Sequence, residues 1–436
     1  MLQRSRSLGP PALLPFVGGS AFFCATVAAP LHAQDVTRYL TGSANDANVQ
    51  AEGGIVLAGG GTDVDAAMSW FKTRANGGDV VILRASGSDG YNDYLFSELP
   101  GPAIDSVETF VFEGRSAASD AQVLQAVSQA EGIFFAGGDQ SRYDDYWKGT
   151  PLEDAIHQRV AEGAVIGGTS AGLAILGSSA YVAQGRSLRS NRALNNPFHP
   201  DVTLEHDFLQ IPLMEGVLTD SHFTDRDREG RLLTMMARSA DDTNAPVGFR
   251  GIGINDETAV VVEPDGTATV LANGTHERAA HLFTLTQPAT TLQAGTPLTL
   301  ENVAGLEVRA NETFDFNTFT ALPGVGRAYS YEVIDGDLRE GEPIVTAPDL
   351  PGDFDASGSV EQSDLNLVLN NWGSDRGPWN NAEGFSTSVV DQEELNRVLN
   401  HWGSSVTPSF VEVSAPEPAA AAAIVSLVVL QRRTPH

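Results

Sequence analysis

Residues 164–175 run Ala-Val-Ile-Gly-Gly-Thr-Ser-Ala-Gly-Leu-Ala-Ile: a β-branched stretch, a serine flanked by glycines, then small helix-compatible residues. Gly168, Ser170 and Gly172 occupy the G-x-S-x-G places of a nucleophile elbow, which joins a strand to a helix through a sharp turn. A serine on so tight a turn needs neighbours without side chains. Its hydroxyl then stands at the start of the next helix, where backbone N–H groups can stabilise a developing oxyanion. A glycine-rich turn with an idle serine would carry the same five residues, so the weight falls on what else the chain supplies.

The pattern around the elbow constrains the fold. Short apolar runs alternate with helical stretches from Gly54 to Gly172. Strands are expected at Ile55–Ala58, Val80–Leu83, Phe110–Phe112 and Ile133–Ala136, and helices at Asp65–Thr73, Asp120–Ala130 and Thr150–Glu162. Alternating strand and helix predicts an α/β, three-layer parallel-sheet domain with both faces covered. Ligands collect at the carboxyl ends of such strands. Gly59-Gly60-Gly61, Gly137-Gly138 and Ser170 all fall there and should meet in one crevice. The first of these turns lacks G-x-G-x-x-G spacing and a following lysine, which argues against a phosphate loop. Beyond Asp256 the texture changes to β-hairpins, with turns at Pro264-Asp265-Gly266 and Asn273-Gly274, forming a β-rich extension to about Gly336.

With 436 residues, 42% of them apolar and 19% charged, the chain holds one large domain and small additions. Its 26 basic and 56 acidic residues leave a net charge of −30. That argues against a nucleic-acid or anionic-membrane partner and suits a cationic or zwitterionic substrate. The first 33 residues read as a signal peptide, with Arg4 and Arg6 before an apolar stretch and Ala33 at a cleavage position. Gly18, Gly19 and Ser20 break the apolar stretch and argue against a spanning helix. The single cysteine, Cys24, lies inside this segment, so the mature chain would carry no disulfide and no cysteine-ligated metal.

A serine nucleophile needs a base and an orienting acid. His222 stands out, because Asp220-Ser221-His222-Phe223 follows an apolar run and precedes Arg226, Arg228 and Arg231, a dense basic group in so acidic a chain. Arginines can hold carboxylates with two hydrogen bonds each, although local pairing with neighbouring aspartates would equally account for them. The run Gly251-Ile-Gly-Ile-Asn255-Asp256-Glu257-Thr258 places two acids at another strand end.

These motifs, Gly137-Gly138-Asp139-Gln140, Gly167 to Gly172, Asp220 to Arg231 and Gly251 to Asp256, occur in this order in cyanophycinases, which the chain resembles from about Gly54 to Leu338. The resemblance implies a fold similar to class I glutamine amidotransferases and a serine exopeptidase acting through an acyl-enzyme, with no cofactor for catalysis. It implies Ser170 as nucleophile, His222 as base, Gly138 and Ala171 as oxyanion donors, and Gln140, Asp220, Arg226, Arg228 and Arg231 as substrate-pocket positions. It implies a peptide or polypeptide substrate, cyanophycin, a poly-aspartate bearing arginine on its β-carboxyls, cut to β-Asp-Arg dipeptides. Two departures stand out. The family reads Asp-Gln-His where this chain has Ser221 in the middle. The family's triad glutamate is replaced by Asp256, with Glu257 beside it, and either acid could orient His222. An isoaspartyl or other peptide hydrolase on the same scaffold, or a non-catalytic surface binding protein, are the alternatives.

Two further segments resemble known modules. Asp353, Asp355, Ser357, Ser359, Glu361 and Asp364 stand at calcium-loop spacing, with Gly358 at the turn. The helix-like run Leu365 to Gly373 then recurs as Leu395 to Gly403, with a second loop that has lost its glycine and an aspartate. This duplication resembles a dockerin type I module, implying bound Ca2+ and a cohesin-like protein partner. Pro416-Glu417-Pro418, an apolar run to Leu430, and Arg432-Arg433 resemble a PEP-CTERM sorting tail, implying exosortase-type machinery and export to the surface or medium of a Gram-negative-type bacterium. The expected organisation is signal peptide 1–33, peptidase-like domain 50–340, linker 341–351, dockerin-like module 352–404 and sorting tail 416–436.

Overall fold

The computed structural model describes residues 35–274, 279–321, 326–343, 360, 362–370, 372 and 392–403. The signal-peptide and sorting-tail segments lie outside the described residues. So do the linker beyond Pro343 and the calcium-loop positions Asp353, Asp355, Ser357, Ser359 and Glu361.

Two sheets organise the domain. The chain enters through β1 (Val36–Gly42), β2 (Ile55–Ala58), helix α1 (Asp65–Arg74), β3 (Asp79–Arg84), a short α2 (Gly90–Asp93) and β4 (Ser106–Phe112). It continues through α3 (Ala121–Gln129), β5 (Gly132–Phe135), α4 (Gln140–Trp147), α5 (Pro151–Ala161), β6 (Val165–Thr169) and the one-turn α6 (Ala171–Ala174). Strands β4, β3, β5, β6 and β2 lie side by side in that order and run parallel, with β1 antiparallel on the β4 edge. The order places β6, which carries the elbow, at the sheet's centre, between β5 and β2.

Alternation across these strands sorts the side chains. Val56, Val80, Ile82 and Phe134 face one way and bury against Met68 and Phe71 of α1. Leu57, Val81, Leu83, Ile133 and Phe135 face the other way, toward Val123, Val127, Leu152 and Ile156 of α3 and α5. Helix starts follow the local chemistry. Asp120 accepts from the N–H groups of Gln122 (2.8 Å) and Val123 (3.3 Å), and Pro151 opens α5. Helix α4 was not legible in the sequence, because its run Gln-Ser-Arg-Tyr-Asp-Asp-Tyr-Trp has no apolar stripe. Tyr143 and Trp147, one turn apart, stack at 4.3 Å and bury the helix, while Asp139 caps it through the Ser141 N–H at 3.1 Å.

A second sheet follows the elbow. After β7 (Ser179–Tyr181), α7 (Ser190–Asn195), β8 (Leu204–His206), β9 (Val217–Asp220) and α8 (Glu229–Asp242), strand β10 (Arg250–Ile254) pairs in parallel with β9. The β-rich extension is not a separate layer. Strands β11 (Thr258–Val262) and β12 (Thr267–Ala272) return to the first sheet, β11 antiparallel to β2. Strand β13 (Ala279–Leu285) and β14 (Leu300–Arg309) widen the second sheet. The small strands β15 (Thr313–Asp315) and β16 (Thr320–Ala321) finish the first, and β17 (Arg327–Ile334) and β18 (Asp337–Pro343) finish the second. Ile252, Ile254 and Leu282 of the second sheet share the buried cluster of Leu57 and Phe135, so the two sheets have a common core. Leu232, Leu233, Met235 and Met236 of α8 cover the other face of the second sheet, against Leu218 and Phe283.

The structure therefore keeps the expected mixed α/β architecture with a parallel-sheet core and revises its limits. The β1 edge strand begins at Val36, before the expected start at 50. Strand β18 carries the domain through Pro343, into the stretch read as linker. Farther on, α9 (Gln362–Asn370) and α10 (Gln392–His401) pack through Val360, Val368 and Val398. Asp364 lies within α9. Among the described residues, no helix is long and apolar enough to cross a membrane.

Candidate active site

Ser170 sits between β6 and α6 with φ 53° and ψ −110°, a strained conformation for a residue with a side chain. The flanking glycines are required by contact. A Cβ on Gly168 would lie 2.6 Å from the Gly172 backbone, and one on Gly172 would lie 2.1 Å from the Phe135 carbonyl oxygen. The elbow thus packs backbone directly on backbone, which only glycine permits. Ser170 donates its own N–H to Ala58 O at 3.1 Å, tying the turn to β2.

His222 follows β9 in the second sheet and Asp256 follows β10. Ser170 Oγ lies 2.7 Å from His222 Nε2, and the other ring nitrogen, Nδ1, bonds Asp256 Oδ1. A proton on Nδ1, held by Asp256, leaves Nε2 free to accept the serine proton. Of the two candidate acids, the structure puts Asp256 on His222. Glu257, at φ 53°, donates its backbone N–H to Gly60 O at 2.7 Å. Burial lowers the His222 pKa, Asp256 pulls it up, and the positive charges of Arg226 and Arg228 lower it further, so that the ring stays below its usual value. A neutral imidazole beside a serine hydroxyl is the state a general base requires.

The imidazole has a fitted place. A Cβ on Gly60 would lie 2.3 Å from His222 Cε1, and the His222 backbone N–H donates to Gly59 O at 2.9 Å. The glycine turn read as part of the crevice wall is also what makes room for the base. The Gly137-Gly138 turn is the other wall. A Cβ on Gly137 would stand 3.5 Å from Ser170 Cβ, and Tyr143 Oη anchors the turn by donating to Ala136 O at 2.8 Å. Gly138 is exposed there, Ala171 follows the serine directly, and half-buried Gln140 opens α4 beside Gly138.

The structure separates the pocket arginines. Arg231 is 2% exposed and Asp220 is 2% exposed, and they form a two-pronged pair, with Arg231 Nε donating to Asp220 Oδ2 at 2.7 Å. Burial alone would lower the Arg231 pKa, but Asp220's charge and hydrogen bonds more than offset it and raise it. Arg231 also lies over the Tyr181 ring at 4.9 Å. Asp220 and Arg231, expected in the substrate pocket, are thus buried against each other, and Arg228 also reaches Asp220 Oδ1 at 3.4 Å. Arg228 is held between, donating to Ser221 O at 2.7 Å and Ser221 Oγ at 3.2 Å, and burial brings its pKa down to about 10. Arg226 stands exposed on the turn after His222, and of the three it alone faces solvent.

Two residues unmarked by the sequence reading join the site's frame. Asp225 Oδ2 accepts the Asp256 N–H at 2.8 Å, and Asn255 Oδ1 accepts the Thr224 N–H at 3.1 Å. Both lie inside the motifs read above, but no local signal marks their part, because each bond joins segments about thirty residues apart.

A serine at a strained elbow, a neutral histidine within hydrogen-bond reach and a carboxylate behind it form the equipment of a serine hydrolase. Residues 113–270, which contain all three, match the family described as Peptidase family S51. A Synechococcus elongatus protein described as cyanophycinase is 31% identical over 234 residues, which cover 51% of this chain and 66% of that one. A cyanophycinase from Trichormus variabilis is 31% identical over 247 residues, covering 54% and 73%. The chain thus spans slightly under two thirds of the first relative's length. A solved structure, described as a peptidase from an acI-B1 Actinobacterium, is 17% identical with a TM-score of 0.38, covering 61% of this chain and 98% of that one. The chain belongs to peptidase family S51, and its class is serine-type peptidase.

Proposed function

We propose that the chain is a cyanophycinase-type serine exopeptidase, attacking aspartyl peptide bonds of poly-aspartate that carries arginine on its β-carboxyls. The observation that carries the reading is the 2.7 Å approach of Ser170 Oγ to His222 Nε2, with Asp256 on the far ring nitrogen. Ser170 Oγ attacks the scissile carbonyl while its proton passes to Nε2. Gly138 and Ala171 N–H groups take the oxyanion. His222 then hands the proton to the leaving amine, and a water deprotonated by His222 hydrolyses the acyl-enzyme. Exposed Arg226 is the side chain best placed to meet an aspartyl carboxylate, and the acidic surface tolerates the polymer's guanidinium groups.

From sequence alone we also propose export by the signal peptide, processing of the sorting tail by exosortase-type machinery, and Ca2+ at Asp353, Asp355, Ser357, Ser359, Glu361 and Asp364. A cohesin-like partner for the dockerin-like module belongs to the same proposal.

The test is incubation of the mature chain with cyanophycin, with β-aspartyl dipeptides in a parallel assay. β-Asp-Arg release, lost in Ser170→Ala and reduced about ten-thousandfold in Asp256→Asn, is the expected result. Cleavage of β-aspartyl dipeptides without cyanophycin turnover points to the isoaspartyl alternative. Wild-type protein that neither cleaves nor reacts with a serine-directed phosphonate points to the binding-protein alternative.

A further inference from the structure

Strand β5 ends at Phe135, and the Gly137-Gly138 turn beyond it forms the wall beside Ser170. Ala136 still donates its N–H to Leu83 O at 3.1 Å. Two glycines in succession leave the next peptides free to rotate, since no side chain restricts them. Such a turn keeps one orientation only when a group outside it holds it there.

That group is a tyrosine hydroxyl. Tyr143 Oη donates to Ala136 O at 2.8 Å and reaches Gly137 O at 3.3 Å. Two successive carbonyls thus converge on one hydroxyl. A peptide is planar and trans, so its N–H points away from its C=O. Carbonyls drawn to one side therefore place the Gly137 and Gly138 N–H groups on the other. Successive N–H groups on one side make a concavity for an anion. A Cβ on Gly138 would stand 3.1 Å from Tyr143 Oη and 3.4 Å from Ser86 Oγ, so hydroxyls hem this residue in.

The hydroxyl stands on a fixed base. The Tyr143 ring is fully buried and lies flat on Trp147, 4.3 Å away with 8° between the planes. Trp147 packs in turn against Phe112 and Phe135, with centroids 5.3 Å and 5.8 Å away. Burial raises the Tyr143 pKa above the usual phenol value, which keeps the hydroxyl protonated as a donor.

We infer that Tyr143 is a positioning residue: its hydroxyl locks the peptides between Ala136 and Gly138 so that Gly138 N–H stays turned toward the oxyanion formed at Ser170. The inference rests on Ser170 and Gly138 acting as proposed above. Losing an oxyanion donor outright costs about a hundred- to a thousandfold in rate, and leaving one unlocked costs part of that.

The test is labelling of Ser170 by a serine-directed fluorophosphonate, resolved into probe affinity and maximal rate, across pH and with thermal denaturation alongside. Tyr143→Phe removes one oxygen and keeps the stacked ring. Its maximal rate should fall about ten- to a hundredfold. Probe affinity and the acid limb should stay as in the wild type, because His222 and Asp256 are untouched. Trp147→Phe weakens the same aromatic stack but leaves the hydroxyl, so it should lower the denaturation midpoint and label near the wild-type rate. If Tyr143→Phe does not fold, Tyr143→His carries the same expectation, since its stacked ring ends short of both carbonyls. A wild-type rate in the Tyr143 variant overturns the inference. So does a shifted acid limb, which would place the effect on the base, or an equal loss in Trp147→Phe, which would make it one of packing. Absence of labelling at Ser170 in the wild type overturns the catalytic reading and the inference with it. That outcome is distinct, since it appears before any variant is made.

Discussion

The first sheet holds its reactive group by steric exclusion, and the second holds its reactive groups by hydrogen bonds. At the elbow, Gly168 and Gly172 bring backbone against backbone, and Ser170 has no alternative place to stand. On the second sheet the glycines do something different. A Cβ on Gly251 would meet the Met236 sulfur at 2.3 Å, and one on Gly253 the Phe223 ring at 2.3 Å. These are sockets for large side chains, which can shift. His222 and Asp256 stand on turns joined by a clasp of hydrogen bonds, Thr224 to Asn255 and Asp256 to Asp225. A contact between backbones gives way only if the sheet does. A hydrogen-bonded clasp can be loosened one bond at a time.

The comparison breaks most plainly at Gly172. Gly172→Ala places a methyl group in the Phe135 carbonyl, with no side chain to yield, and should cost about 3 kcal/mol or more, seen as a lowered denaturation midpoint and loss of labelling. If the midpoint is unchanged, the elbow is softer than its geometry implies. Arg231→Met leaves the buried Asp220 carboxylate with only the longer Arg228 contact, at 3.4 Å, and should cost about 3 kcal/mol in denaturant unfolding. Adding Asp220→Leu should recover little of that loss, since it also takes the carboxylate away from Arg228.

Gly60→Ala acts on activity. The new methyl pushes on the His222 ring, and a displacement of about 1 Å at the base lowers kcat about a hundredfold while much of the fold survives. Arg226→Gln is the mildest. Burial is the main cause of the low His222 pKa, and Arg226 adds to it. Removing that positive charge raises the pKa. Because neutral imidazole is the working form, the acid limb of Ser170 labelling by a serine-directed phosphonate, which carries no carboxylate for Arg226 to hold, should move to higher pH with little change at the plateau. A shift to lower pH would contradict the placement of Arg226 near His222.

Much of the first sheet was legible because its strands are buried on both faces and its helices carry apolar stripes or clear start signals. Ser170, the glycine turns and the strand-end position of His222 could be read for the same reason: each is encoded within a few residues. Helix α4 was hidden because its burial depends on Tyr143 and Trp147 stacking between polar neighbours. The three arginines looked alike in the sequence. Burial sorted them, with Arg231 locked to Asp220, Arg228 tied to Ser221 and Arg226 left in solvent.

The sequence by itself determined the elbow, the mixed α/β class and the short list of partners for Ser170, since glycine geometry and strand alternation are local rules. Only the tertiary structure decided that a second sheet supplies the base and the acid, that Asp256 rather than Glu257 meets His222, and that Asp225 and Asn255 bond the two turns to each other. Those outcomes depend on hydrogen bonds and packing between segments about thirty to fifty residues apart, where no local pattern reports the distance.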